Sequence, residues 1–346
     1  MSVKAFITGC AGPELLAEER QFLADESPWG LILFQRNCVS SAQIQQLTTE
    51  FRAFVGRQDA PVLIDQEGGR VQRLKPPIWP AYPPSQVYGD IYGKDRDAGL
   101  RAAHLSGLLI AGDLEPLGIT IDCLPVLDVG RPDTHAAIGD RAYGQDADTV
   151  TALGGAAAAG LQAGGVLPVM KHIPGHGGGR VDSHFELPVV DDALCELEEC
   201  DFRPFQALRH LPMAMTGHLI YSAVDGANPS TISPIIVGDI IRRQIGFDGL
   251  LMSDDISMQA LTGDVASRSA AALSAGCDLV LHCNGDIDEM RQAAAAAPEL
   301  AGQSAKRADR ALAARSRPEA VDFEDLRGEY SELLAKFGIL SGRTGV

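Results

Sequence analysis

Eight short apolar runs, each followed by a stretch of helical periodicity, constrain this chain more than any other feature. The runs are VKAFITGC, GLILFQR, PVLIDQEGG, ITIDCLPVLDVG, VLPVMKHIPG, MAMTGHLI, GLLMSDDIS and CDLVLHCN. Residues 14–25, 41–55, 96–117, 146–163, 194–208, 233–245 and 265–275 carry apolar positions at helical spacing. A further helix is expected over 288–297, and two more close the chain. Strands that are apolar almost throughout need cover on both faces, which a parallel sheet sheathed in helices supplies. Eight strand–helix repeats fit a (β/α)8 TIM barrel better than the alternative, an open doubly wound sheet. No Gly/Ser linker or change in composition interrupts the 346 residues. The expectation is therefore an α/β, single-domain (β/α)8 barrel over residues 1–346, with C-terminal helices at about 300–340.

The polar residues fall where such a barrel does its chemistry. Asp65, Asp128, the Lys171–His172 pair, His218, the Asp254–Asp255 pair and Asn284 all stand at the C-terminal ends of predicted strands. Those ends converge on one mouth. A net charge of −17 argues against nucleic acid and against anionic membrane surfaces as partners. No apolar run approaches the ~18 residues of a membrane span. The N-terminus shows no cationic segment before a long apolar stretch, so a cytoplasmic protein is expected. The seven cysteines form no tight C-x-x-C pairs. Cys10, Cys123, Cys277 and Cys283 lie in apolar runs and are read as buried, reduced thiols.

The segment KHIPGHGGGRVDSHFELP places three of the chain's eight histidines between Lys171 and Pro188. His172, His176 and His184 with Asp182 would serve a divalent metal, although FITGC lacks the H-x-H pair that barrel metal sites draw from the first strand. Lys171 would serve as an imine-forming amine, but beside His172 and nearby arginines it reads as a substrate-binding cation. A structural role, hydrogen bonding to glycine backbone, suits His176. In Asp182-Ser183-His184 the carboxylate would fix the imidazole tautomer and leave the other ring nitrogen free to exchange protons. Ser183 would point away from both neighbours in an extended segment, and G-x-S-x-G is absent, which discounts a hydrolytic triad. In LLMSDDISM, Asp255 or Ser257 suits a cap, whereas Asp254 stands directly at the strand end. DQEGGRVQRL adds Asp65 with Arg70 and Arg73, and GDRAYG adds Arg141; arginines beside glycine turns suit recognition of hydroxyls and carboxylates.

Together, DQEGGRVQRL, IGDRAYG, KHIPGHGGGRVDSH, MTGHLIYS, PSTIS, GFDGLLMSDDISM and AGCDLVLHCN resemble the bacterial β-N-acetylhexosaminidases of glycoside hydrolase family 3 in their single-domain form. The resemblance is collinear over roughly residues 5–285. It implies a single catalytic barrel and retention of anomeric configuration through a covalent glycosyl-aspartate. It assigns Asp254 as nucleophile, His184 as general acid/base and Asp182 as the group that orients His184. It assigns Asp65, Arg73, Arg141, Lys171 and His172 to the terminal N-acetylglucosamine. The implied substrate is a small molecule, N-acetylglucosamine β-1,4-linked to anhydro-N-acetylmuramic acid with or without stem peptide, in cytoplasmic cell-wall recycling. It implies no metal or other cofactor, no nucleic acid or membrane partner, and a monomer or weak homodimer. Ile173 and the GGR run at 178–180 depart from the family pattern and bear on loop behaviour and aglycone preference. The glycines at 175–179 are expected to let the loop swing His184 in and out. Alternatives from other classes are a zinc-dependent barrel hydrolase, a non-catalytic sugar-binding barrel, and a phosphorylase that uses the same residues.

Overall fold

The computed structural model describes residues 2–132, 134–179, 187–318 and 320–339. Eight parallel strands close into a barrel: β1 (Lys4–Thr8), β2 (Pro28–Leu33), β3 (Val62–Ile64), β4 (Ile121–Asp122), β5 (Leu167–Ile173), β6 (Met213–Thr216), β7 (Leu250–Asp255) and β8 (Leu279–His282). Each pairs with its sequence neighbours, and β8 returns to β1, with Phe6 opposite Val280. The barrel and its helical sheath match the fold expected from the eight repeats.

Strand alternation explains both the core and the mouth. Ala5, Ile7, Ile32, Leu63, Ile121, Val169, Met213, Met215, Leu250, Met252, Leu279 and Leu281 form one buried cluster that fills the barrel. Their neighbours Phe6, Leu31, Val62, Ile64, Met170, Ala214, Leu251 and Val280 face the helices in the other cluster. Both faces are apolar, so the strands read as unbroken hydrophobic runs. Because side chains repeat every second residue, Asp65, Lys171 and Asp254 continue the inward rows begun by Leu63, Val169 and Met252. These charges stand on top of the apolar filling.

Several elements differ from the sequence expectation. The fourth run contributes only two residues of regular strand, because Pro125 offers no N–H to continue the ladder. The chain nevertheless tracks β5, with Leu127 N–H donating to Lys171 O at 2.7 Å, and delivers Asp128 to the mouth. The helix expected over 194–208 breaks into Leu194–Glu199 and Phe202–Ala207. Pro204 cannot donate to the carbonyl of Cys200 four residues back, so the first helix cannot run through. Helix Ser85–Tyr92 escapes the sequence reading because Gly89 interrupts it; a methyl there would lie 1.9 Å from Tyr143 O. The stretch Ile236–Gln244 winds as a π-helix, and a short parallel ladder joins Val189–Val190 to Ile220–Tyr221 beside the mouth.

The last two helices seal the barrel from outside. Gly302–Ala313 inserts Ala308 and Ala311 into the interior cluster. Phe323–Lys336 lies on Arg96–Leu114, with Arg101 forking onto Glu329 at 2.7 Å and the Tyr88 and Tyr330 hydroxyls 2.6 Å apart. The four cysteines expected in the core are buried, and all seven are free thiols. Among the described residues no helix is long and apolar enough to cross a membrane.

Candidate active site

Past the end of β3, Asp65 and Glu67 meet three cations. Lys171 Nζ lies 2.8 Å from Asp65 Oδ1 and 2.6 Å from Glu67 Oε1. Arg141 forks onto both oxygens of Glu67 at 2.8 and 2.7 Å, and Arg73 reaches Asp65 Oδ2 at 3.1 Å. Burial alone would raise the Glu67 carboxyl, but Arg141 and Lys171 overcome it and hold it at about 2. Asp65 follows the same logic: burial pushes up, Lys171 and Arg73 pull further down, and the carboxyl ends well below its ordinary range. Burial would lower the Lys171 ammonium, yet the two carboxylates raise it above the usual lysine value. A lysine held protonated in this way is a poor imine-former, which disfavours the Schiff-base reading. The Phe34 ring carries the Arg73 guanidinium over its face at 5.1 Å and so helps fix it.

A second constellation forms around buried Asp128. Its Oδ2 pairs with His172 Nδ1 at 2.7 Å, while Oδ1 accepts from the backbone N–H of His172 at 3.1 Å and of His176 at 2.7 Å. Burial opposes ionisation, but the two imidazoles and these hydrogen bonds hold Asp128 at about 2. The carboxylate thereby sets which His172 nitrogen faces Asp128 and which is left toward the cavity. His176 packs edge-on against His172, with ring centroids 5.7 Å apart, and burial lowers it to about 4 despite Asp128. It stays neutral at physiological pH.

Asp254 ends the inward row of β7. Its N–H donates to Thr216 Oγ1 at 3.2 Å, and its Oδ1 accepts the Asp255 N–H at 2.8 Å. Among the described residues no other hydrogen bond reaches its side chain. Burial would raise this carboxyl, but His218, His172, the Asp255 amide and Lys171 leave it below the ordinary aspartate value, hence ionised. Asp255 does different work. Its oxygens accept from Ser257 N, Ser257 Oγ and Cys283 N, which ties the end of β7 to β8. His218 is tied into the frame: its Nε2 donates to Asp255 O at 3.0 Å, and its Nδ1 is hydrogen-bonded with the Thr231 hydroxyl at 2.8 Å.

A cavity of about 350 Å³ opens over these groups, lined by Asp65, Arg73, Arg141, Lys171, His172 and Asp254, with Met215, Met258 and Phe34 as apolar walls. All five residues expected to bind substrate line it together, with Asp254 among them. His184 and Asp182 lie outside the described residues. Arg70 also borders the cavity, but its guanidinium is engaged by the carbonyls of Ala136, Ala137 and Ile138 and by Asp140. Asn284 is occupied by Glu289 and the turn to Asp286 and does not line the cavity. Glu67 was not anticipated; its signal is its place in the DQE turn directly after a strand end, among arginines that need a counter-charge. Among the described residues no three His, Cys, Asp or Glu are grouped to hold a metal ion.

The glycine run also has a reason beyond swinging. A methyl on Gly177 would fall 1.9 Å from Val129 O, and Gly175, at φ +136°, would place one 2.8 Å from Asp201. Gly175 and Gly177 belong to a packed root in which a Cβ does not fit.

A closed parallel barrel whose mouth gathers arginines, a lysine, a histidine and an ionised, cavity-lining carboxylate has the make-up of a barrel enzyme acting on a small polar substrate. The sequence profile of the glycosyl hydrolase family 3 N terminal domain matches residues 6–312. The chain is 42% identical over 277 residues to a beta-hexosaminidase of Methylococcus capsulatus, covering 79% of this chain and 80% of that protein. A beta-hexosaminidase of Chromobacterium violaceum is 39% identical over 313 residues, 89% and 86% of the two chains. Among solved structures, NagZ from Neisseria gonorrhoeae in complex with N-trifluoroacetyl-D-glucosamine superposes with a TM-score of 0.84 at 31% identity, covering 97% of both chains. The chain belongs to glycoside hydrolase family 3, and it is a glycosidase of the β-hexosaminidase type.

Proposed function

We propose that this protein is a retaining exo-β-N-acetylglucosaminidase, one catalytic domain over residues 1–346. Its substrate is terminal N-acetylglucosamine β-1,4-linked to anhydro-N-acetylmuramic acid, with or without stem peptide, and its setting is cytoplasmic recycling of cell-wall fragments. In the first step an Asp254 oxygen bonds to C1 while the glycosidic C–O bond breaks, and His184 gives its proton to the departing oxygen. In the second, His184 takes a proton from water, the water oxygen bonds to C1, and the bond to Asp254 breaks. Asp182 orients His184 and stabilises the imidazolium. An imidazole with an ordinary value near 6.5 is suited to both proton transfers near neutrality.

The observation that carries this reading is Asp254, held ionised at the end of the inward row of β7 and at the wall of the cavity, with no cation paired to it directly among the described residues. A nucleophile must be ionised and must face the substrate, and the carboxylates of Asp65 and Glu67 are already engaged by Lys171, Arg73 and Arg141. Those ion pairs leave the remaining donors of three cations, with His172, to grip the hydroxyls and acetamide of a terminal sugar. The gonococcal neighbour, bound to an N-acylated glucosamine analogue, supports an amino sugar in this cavity. Proton NMR of an aryl β-N-acetylglucosaminide during turnover tests the proposal. The β-anomer of the free sugar is expected first; initial appearance of the α-anomer would refute the double displacement.

A further inference from the structure

The chain leaves β5 toward Asp182 and His184 through residues 174–179, and this root is fastened on every side. Asp128 Oδ1 accepts the His176 N–H, the Thr134 hydroxyl donates to Gly177 O at 2.6 Å, and His135 N–H donates to Gly179 O at 3.0 Å. The Tyr221 hydroxyl donates to Gly175 O. Just outside stands Arg131, whose own N–H donates to Thr134 Oγ1 at 2.7 Å. Its guanidinium reaches Asp192 Oδ1 at 2.8 Å with one arm and Asp201 Oδ2 with the other.

These two carboxylates flank the root. A methyl on Gly178 would lie 3.0 Å from Asp192 Oδ2 and 3.5 Å from Arg131 Nη1, and Gly175 abuts Asp201. Asp192 lies on the segment that resumes after residue 186, and Asp201 sits in the bend that Pro204 forces between two helices. Only a guanidinium has the fork to tie both at once. Burial pushes the Asp201 carboxyl up to about 6 although Arg131 pulls it down, so at neutral pH its charge leans on that guanidinium. The Asp201 side chain is 1% exposed, and its Oδ1 has no hydrogen-bond partner among the described residues.

We propose that Arg131 is a positioning residue for proton transfer: by clamping Asp192 and Asp201 on either side of the glycine root, it sets where the chain departs toward Asp182 and His184. The inference rests on the assignment of those two residues as the proton-transfer dyad. Nothing in it requires Arg131 to touch the sugar, and Arg131 does not line the cavity.

The test compares Arg131→Ala with the unaltered enzyme on two β-N-acetylglucosaminides, one with an alkyl leaving group and one with dinitrophenol. Misplacing the acid/base should lower kcat on the alkyl glycoside by about 10–100-fold, with kcat on the activated glycoside changed by less than about 3-fold and KM little altered on either. Arg131→Lys, which keeps charge without the fork, should show the same split at smaller size. It carries the test by itself if Arg131→Ala does not fold. Equal loss on both substrates, as from a merely destabilised fold, or no loss on either, overturns the inference. His184→Ala is measured in parallel. A split for His184→Ala without one for the Arg131 variants sinks the clamp alone, whereas no split for His184→Ala removes the dyad assignment and the clamp with it.

Discussion

Glu67→Gln is the substitution that most directly questions the electrostatic floor of the cavity. The side chain is 2% exposed and satisfies Arg141 and Lys171 together. The amide keeps the shape and one acceptor but removes the charge, leaving Lys171 paired with Asp65 and Arg141 with no carboxylate in direct contact among the described residues. Breaking a buried ion network by removing one partner costs about 3–5 kcal/mol. With an unfolding entropy on the order of 0.7 kcal/mol per kelvin for a chain of this length, that cost lowers the melting temperature by roughly 4–7 °C. The sign of the pH dependence follows from the carboxyl being held at about 2, below its ordinary value of 4.5. A depressed acid contributes its stability above the unfolded value and loses it as the pH falls through the folded one. The gap between the two proteins should therefore be full at pH 6–7 and narrow progressively below about 4.5. Melting followed by circular dichroism from pH 7 down to pH 3 measures it. A gap that stays constant across that range, or one below about 1 °C at pH 7, would refute the reasoning.

Two further outcomes are expected. Asp254→Ala should lose on the order of 10³-fold or more in kcat while still binding free N-acetylglucosamine, because the covalent route is gone but the cationic grip remains; steady-state kinetics with calorimetric sugar binding would show it, and a loss below about 10-fold would exclude the nucleophile role. Gly177→Ala should lower both stability and activity, since the added methyl would stand 1.9 Å from Val129 O; a variant with unchanged melting and kcat would mean that the root is looser than its packing implies.

Much of this arrangement can be read from the chain. Eight apolar runs specify the barrel because both strand faces are buried, and period-2 alternation carries the inward rows up to Asp65, Lys171 and Asp254. Local chemistry also explains where reading by pattern fails. Pro125 and Pro204 are visible in the sequence, and each cuts a predicted element short. Gly89 hides a helix whose need for glycine comes from Tyr143, more than fifty residues away. Gly175, Gly177 and Gly178 suggest mobility by composition, and the packing of Val129, Val190 and Asp201 against them adds a demand for glycine that comes from distant residues. Glu67 and Arg131 belong to the same class: their meaning resides in partners brought from distant loops, which no local spacing announces.

The central claim is that Asp254 becomes bonded to the anomeric carbon. Incubating the enzyme with a slowly turned-over fluorinated N-acetylglucosaminide, followed by proteolysis and mass spectrometry, tests it most directly. The account predicts one sugar per chain, on the peptide containing Asp254 and on that carboxylate. A label on any other side chain, or inactivation with no covalent adduct, would contradict it.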